Sequence, residues 1–201
     1  VGPSGCWWSN SGDSIDATLS HRVDLPLGAT AKMDYEVWFE IEEDWDYVYL
    51  EVSVNGGRTW QIIETPATSP ENPIGNGFGP GYTGASGGWL RESVDLSPFA
   101  GEDLWVRFQY VTDDAINASG ACFRDLSINF GNASAGIAAD DRGWEAQGFV
   151  FTNNVVRQGF QVQLITTGED PQVRQLPLDI NNAGKLTVQP PEDGEKLIVA
   201  V

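Results

Sequence analysis

The chain has 201 residues and a formal charge of −18, from 29 acids against 11 bases, with two cysteines and one histidine. That balance excludes nucleic acid and anionic membrane surfaces as partners, because phosphates are held by Lys and Arg, and no run is long and apolar enough to span a bilayer. Its size suits one large β domain or two smaller ones, and its many Trp, Phe, Tyr, Gly and Pro favour pleated strands joined by turns.

Taken in order, segments around 14–24, 33–41, 47–54, 58–64, 89–95, 104–112 and 122–130 read as strands. The clearest is 47–54. Val48, Leu50, Val52 and Val54 fall on one side, and Tyr47, Tyr49, Glu51 and Ser53 on the other, the period of a half-buried strand. "VNGGRTW" after it is a hairpin signal, with Asn55-Gly56 suited to positive φ. Residues 65–88 hold many Gly and Pro and no periodic apolar set, so they predict a long surface loop that folds over the sandwich. Small residues dominate 131–142, which reads as a linker. Beyond it, short strands are predicted near 147–152, 159–166, 172–180, 185–189 and 195–201. Val1 opens mid-pattern rather than on Met, so the chain reads as a piece of something longer.

Five acids, Glu40, Glu42, Glu43, Asp44 and Asp46, crowd in front of strand 47–54. They suit a cation site, a glycosidase acid–base pair or a solvated turn. His21 is the sole histidine and lies in a strand-like stretch, where a lone histidine is more often structural; there is no His-Glu-x-x-His, so no zinc-protease centre is marked. Cys6 and Cys122 fit no paired zinc pattern. "SVNGGRTW" resembles one Asp-box of sialidase propellers, where small polar residues brace a hairpin; a single copy argues for the hairpin alone. Trp7, Trp8, Trp45, Trp89 and Tyr82 lie in or beside loops, where each either packs on the rim of the core or stacks on a sugar ring. Asn117 and Asn132 each begin an Asn-Ala-Ser glycosylation pattern.

"YEVWFEIEEDWDYVYLEVSVNGGRTW" (35–60) and "GYTGASGGWLRESVDLSPFAGEDLWVRFQYVTD" (81–113) closely resemble the region that follows the catalytic domain in immune inhibitor A metallopeptidases. "GWEAQGFVFTN" and "FQVQLITTG" resemble the segment after it. These are secreted bacterial zinc proteases whose accessory region is a jelly roll akin to MAM domains. The resemblance implies an all-β chain: a MAM-like jelly-roll β-sandwich over 1–131, a linker over 132–139 and a small β-sandwich-like domain over 140–201. It implies a non-catalytic accessory role, with zinc confined to a catalytic domain upstream, and that domain and a protein or glycan substrate as partners. A free-standing carbohydrate-binding module of jelly-roll type is the alternative. Where a pair of aspartates is expected in the last jelly-roll strand, this chain reads "FRDLSI", with Arg124 before Asp125.

Jelly rolls commonly bring first and last strands together, so Cys6 and Cys122 are expected to form a disulfide in a secreted setting. If strand 104–112 pairs antiparallel with 47–54, Asp113 and Asp114 arrive beside Asp46. Glu42, Glu43, Asp44, Asp46, Asp113 and Asp114 are then candidate ligands of a structural calcium, with Asp13 and Asp125 as second-choice ligands where first and last strands meet. The candidates for ligand stacking are Trp45, Trp89 and Tyr82.

Overall fold

The computed structural model describes residues 5–131, 143–153, 160–179, 183–188 and 194–201. The predicted linker and Asn132 lie outside the described residues. The chain divides into two units, Val1–Asn154 and Val155–Val201.

The first unit is a sandwich of two five-stranded antiparallel sheets. Its strands are β1 (Cys6–Trp8), β2 (Asp16–Asp24), β3 (Ala31–Glu40), β4 (Tyr47–Ser53), β5 (Gln61–Ile62), β6 (Leu90–Asp95), β7 (Asp103–Val111), β8 (Gly120–Phe130), β9 (Glu145–Gln147) and β10 (Val150–Thr152). One sheet runs β10-β1-β8-β3-β6 and the other β5-β4-β7-β2-β9. Strand alternation sets the layers. Met33, Tyr35, Val37 and Phe39 of β3 and Ala121 and Phe123 of β8 face Val48, Leu50 and Val52 of β4 and Leu104, Val106 and Phe108 of β7. Phe108 and Phe123 stack with centroids 4.0 Å apart, and Tyr35 meets Phe108 edge-on at 5.1 Å.

β4 is buried on both faces. Its outward Tyr47 and Tyr49 stack at 5.8 Å and are covered by the 65–88 loop, whose Phe78 stacks on Tyr49 at 5.6 Å. Gly81 passes so close that a Cβ there would lie 2.9 Å from the Tyr49 ring. The next residue, Tyr82, turns inward and is fully buried. Its hydroxyl bonds to that of Tyr35 (2.7 Å) and to Thr65 Oγ1 (3.1 Å), while Glu92 Oε1 accepts from Thr65 Oγ1 (3.2 Å) and the Ala67 N–H (3.0 Å). A buried polar network therefore anchors the loop on the sandwich. In the 53–60 hairpin, Asn55 Oδ1 accepts from the N–H groups of Arg58 and Thr59 and its Nδ2 donates to Thr59 Oγ1. Trp60 packs beneath the Arg107 guanidinium, 4.0 Å from its ring centroid.

Two features depart from the expected organisation. Cys6–Trp8, not predicted as a strand, lies between β8 and β10. Residues 145–152, assigned to the second domain, complete the sandwich instead: β9 pairs with β2 and β10 with β1. The reason is burial. Trp144 and Phe149 on either side of β9 enter the core, and Gly148 (φ +87°) permits a close approach where a Cβ would lie 2.7 Å from that of Ala17. Three-residue strands with one small link between them carry too little periodicity to be seen as sheet edges. Cys6 and Cys122 are disulfide-bonded across β1 and β8, with Cα atoms 5.7 Å apart.

In the second unit, β11 (Val162–Thr166), β12 (Gln172–Leu176) and β13 (Leu197–Ala200) form an antiparallel sheet in the order β12-β11-β13.

Two stability outcomes follow. A chain ending at 131 is expected to lose its cooperative thermal transition, and one ending at 154 to keep it; equal transitions would show that β9 and β10 are dispensable. Reduction of the disulfide, whose cysteines are 116 residues apart, is expected to destabilise by up to roughly 4–5 kcal/mol on chain-entropy grounds, read as a lower denaturation midpoint.

Candidate metal centre

The acids gather at one end of the sandwich because of a single pairing. β4 and β7 run antiparallel with Tyr47 opposite Val111. The residue before β4, Asp46, therefore meets the chain leaving β7 at Thr112 and Asp113. The turn that delivers Asp46 is tightly built: its N–H donates to the Glu42 carbonyl (3.1 Å), Asp44 adopts φ +67°, and the Asp44 N–H donates to Thr83 Oγ1 (2.8 Å). On the facing side, Asp113 is held through its carbonyl by the Ser14 N–H (2.6 Å), and its Oδ1 accepts from the Ala115 N–H (3.0 Å).

Glu42, Asp46 and Asp113 each bring a carboxylate oxygen into a group whose members all lie within 4.8 Å of one another. Asp46 is 1% exposed. Its Oδ1 accepts from the Asp113 N–H at 3.1 Å and its Oδ2 from the Tyr110 hydroxyl at 3.4 Å. Glu42 Oε2 is buried without a hydrogen-bond partner. Among the described residues, none of the three is ion-paired to a base. Burial pushes the Asp46 carboxyl up to about 6, reinforced by the charges of Asp113 and Glu42. Burial and the Asp113 charge also raise Glu42. Glu42 Oε2 thus lacks the partner that a buried charge requires, and Asp46 is offset by hydrogen bonds without a counter-charge.

Oxygen-only donors of this kind suit a hard cation such as calcium and are poorly matched to zinc, which favours nitrogen and sulfur. The orphaned Glu42 Oε2 fits that group, because it is an acceptor with no donor.

Of the other acids singled out in the sequence, Glu43 and Asp114 are exposed and lie outside the cluster, as does half-buried Asp44. The second-choice pair, Asp13 and Asp125, also lies outside it. Asp13 sits in the turn at the Asp113 end, where its Oδ1 accepts from Asn117 Nδ2 (2.6 Å). Asp125 lies in β8 at a bulge opposite Asp34–Glu36 (φ +51°) and points to solvent. Arg124 beside it donates twice to Glu36 Oε2 (2.9 and 2.7 Å) and stacks 3.9 Å from the Trp89 ring centroid, which fixes its role as an ion-pair partner. Tyr82 is corrected as a stacking residue, since it is wholly inside the core; Trp7 is likewise buried. Trp45 and Trp89 are exposed. His21 is buried against Trp144, and its Nδ1 donates to the Gly143 carbonyl at 2.5 Å. Trp38 was not singled out. Its outward parity with Glu36 and Glu40 in β3 was the available signal.

Comparison with known proteins bears on this architecture directly. A model described as "Immune inhibitor A-like, MAM domain" matches residues 3–154, ending with the first structural unit and starting two residues after it. The pre-pro-metalloprotease PrtV of Vibrio cholerae is 32% identical over 122 residues, covering 61% of this chain and 13% of that protein. Immune inhibitor A of Bacillus thuringiensis subsp. alesti is 29% identical over 125 residues, covering 61% and 17%. Bacillopeptidase F of Bacillus subtilis is 22% identical over 123 residues, covering 61% and 8%. The chain therefore spans less than a fifth of the length of each of these relatives. With the match running from the first core strand region to the end of the sandwich, the chain belongs to the immune inhibitor A-like MAM domain family.

Proposed function

We propose that this chain is the non-catalytic accessory region of a secreted zinc metallopeptidase, and that Glu42, Asp46 and Asp113 hold a structural calcium that stabilises it. Zinc belongs to the catalytic domain of that parent, which is this region's first partner; protein or glycan substrate is the second. The observation that carries the calcium assignment is the orphaned, buried Glu42 Oε2 beside two further carboxylates. A bound cation would neutralise the cluster and tie the turn before β4 to the end of β7. The disulfide supports an oxidising compartment, and the family match supports the accessory role.

Calcium is expected to raise the melting temperature of the chain relative to excess chelator. At a hundredfold excess over Kd the mass-action gain is about 2.7 kcal/mol, or on the order of 5–10 °C for a domain of this size. Identical melts together with no bound metal by elemental analysis would sink the assignment. Asp46→Asn keeps an acceptor for the Asp113 N–H and removes the charge, so it is expected to fold and to lose most of the calcium response. In a full-length parent, deleting this region should shorten the thermal half-life of proteolysis, and this chain alone should cleave nothing.

The pH dependence has a definite sign. The folded Asp46 value lies above the ordinary carboxylate value, so the metal-free domain favours the proton. Its stability contribution from Asp46 is intact at acid pH and falls as pH rises from about 4 to about 6. Calcium replaces that proton. The calcium-dependent gain in melting temperature is therefore expected to grow through the same window and level off above it, whereas Asp46→Asn should show little such growth.

A further inference from the structure

The outer face of the β10-β1-β8-β3-β6 sheet carries a row of aromatic rings that the core does not use. Trp8 of β1 and Trp38 of β3 both lie directly opposite Cys122 of β8, one from each side. The β3–β6 register, carried one residue beyond β6, sets Trp89 beside Trp38. Trp8 and Trp38 flank the small disulfide half on β8, their backbones two strand spacings, roughly 9.5 Å, apart. A cleft of about 470 Å³ opens there, walled by Trp8, Trp38 and Trp89, floored by the Cys6–Cys122 bond, with Ser119 and Thr152 also lining it.

The rings are held in place without a ligand. Trp8 Nε1 donates to the Ser119 carbonyl at 2.8 Å. Trp89, 39% exposed, lies under the Arg124 guanidinium, which is itself fixed by Glu36. Hydroxyls of Ser119 and Thr152 border the cleft, and Ser119 Oγ is bonded to the exposed Glu40 carboxylate (2.5 Å). We infer that this cleft binds a neutral glycan chain, one pyranose ring seated between the indoles of Trp8 and Trp38 and the next reaching Trp89. This adds a ligand to the accessory role and does not depend on the calcium assignment.

Three arguments select that class of ligand. The volume is that of a small-ligand site. A pyranose offers C–H faces to aromatic rings and hydroxyls at its edge, so a lining of three indoles with polar groups at the rim matches it, at contacts of about 3.5–4.0 Å. Finally, a chain of net charge −18 repels anionic sugars and phosphates.

The test titrates the whole chain, with calcium present, against the neutral hexaoses of β-linked glucose, N-acetylglucosamine and mannose, followed by calorimetry and Trp fluorescence. At least one hexaose is expected to bind with a Kd of roughly 10–1000 μM. Trp38→Ala and Trp89→Ala should each weaken it about tenfold or more, and Trp45→Ala, which does not line the cleft, by less than about twofold. Trp89 lies outside the strands, so its variant is expected to keep the wild-type melting temperature. Absence of binding by folded wild type to all three sugars would overturn the inference. So would equal binding by the Trp38 and Trp89 variants, or a self-association abolished by Trp38→Ala. Calcium stabilisation, measured on the same samples, reports separately on the acidic cluster.

Discussion

The antiparallel register that sets Tyr47 opposite Val111 governs the acidic end of the molecule. A slip of one residue would turn every side chain of β4 to the other face. Val48, Leu50 and Val52 would leave the core, and Asp46 would leave Asp113. The register is therefore held by the apolar layer, and the carboxylates are placed by it. Phe108 and Tyr110 of β7 illustrate the coupling: the first stacks on Phe123 between the layers, and the second reaches Asp46 from the same strand face. Packing supplies the free energy that brings like charges together, and a cation is the natural means of lowering the resulting repulsion.

A second buried carboxyl meets a different fate. Glu92 is 3% exposed and raised by burial, yet its Oε1 accepts two hydrogen bonds from the start of the long loop. Its burial is used to fasten residues 65–67, as Tyr82 fastens the loop's far end. The loop thereby covers Tyr47 and Tyr49, which would otherwise form an exposed aromatic patch of the kind that promotes association. Glycine is needed at 81 because the chain passes within contact of both tyrosine rings. Irregular backbone and buried polar side chains are one solution to one problem here, the shielding of a strand that is buried on both faces.

Much of this was legible in the residues. Alternation located β2, β3, β4, β6, β7 and β8 to within a few positions, and pairing β4 with β7 was enough to foresee that Asp46 and Asp113 meet. What stayed hidden was set by partners distant in sequence. Glu42, and not Glu43 or Asp44, belongs to the cluster because the 41–46 turn places Asp44 at positive φ and brings the Glu42 carbonyl to the Asp46 N–H, a conformation that a run of closely spaced acids does not announce. Tyr82 sits in a Gly-rich stretch that has no period, so nothing local distinguishes a buried tyrosine from an exposed one. β1, β9 and β10 are three residues each, too short for alternation, and owe their place to the edges they cover.

The position of β1 carries a kinetic consequence. It is the first strand in the chain, yet its neighbours are β8 and β10, and its pairs span more than a hundred residues. β2 likewise waits for β7 and then for β9. Loop-closure entropy must be overcome before such distant contacts return any free energy, so a topology of this kind folds slowly compared with one built from adjacent hairpins. As the chain is made from its N-terminal side, the sheet of β2 cannot close until Gln147 has appeared, nor that of β1 until Thr152 has. Until then the indoles of Trp7 and Trp8 and the two thiols remain open to the surroundings, and the chain depends on prompt arrival of its last strands to escape aggregation.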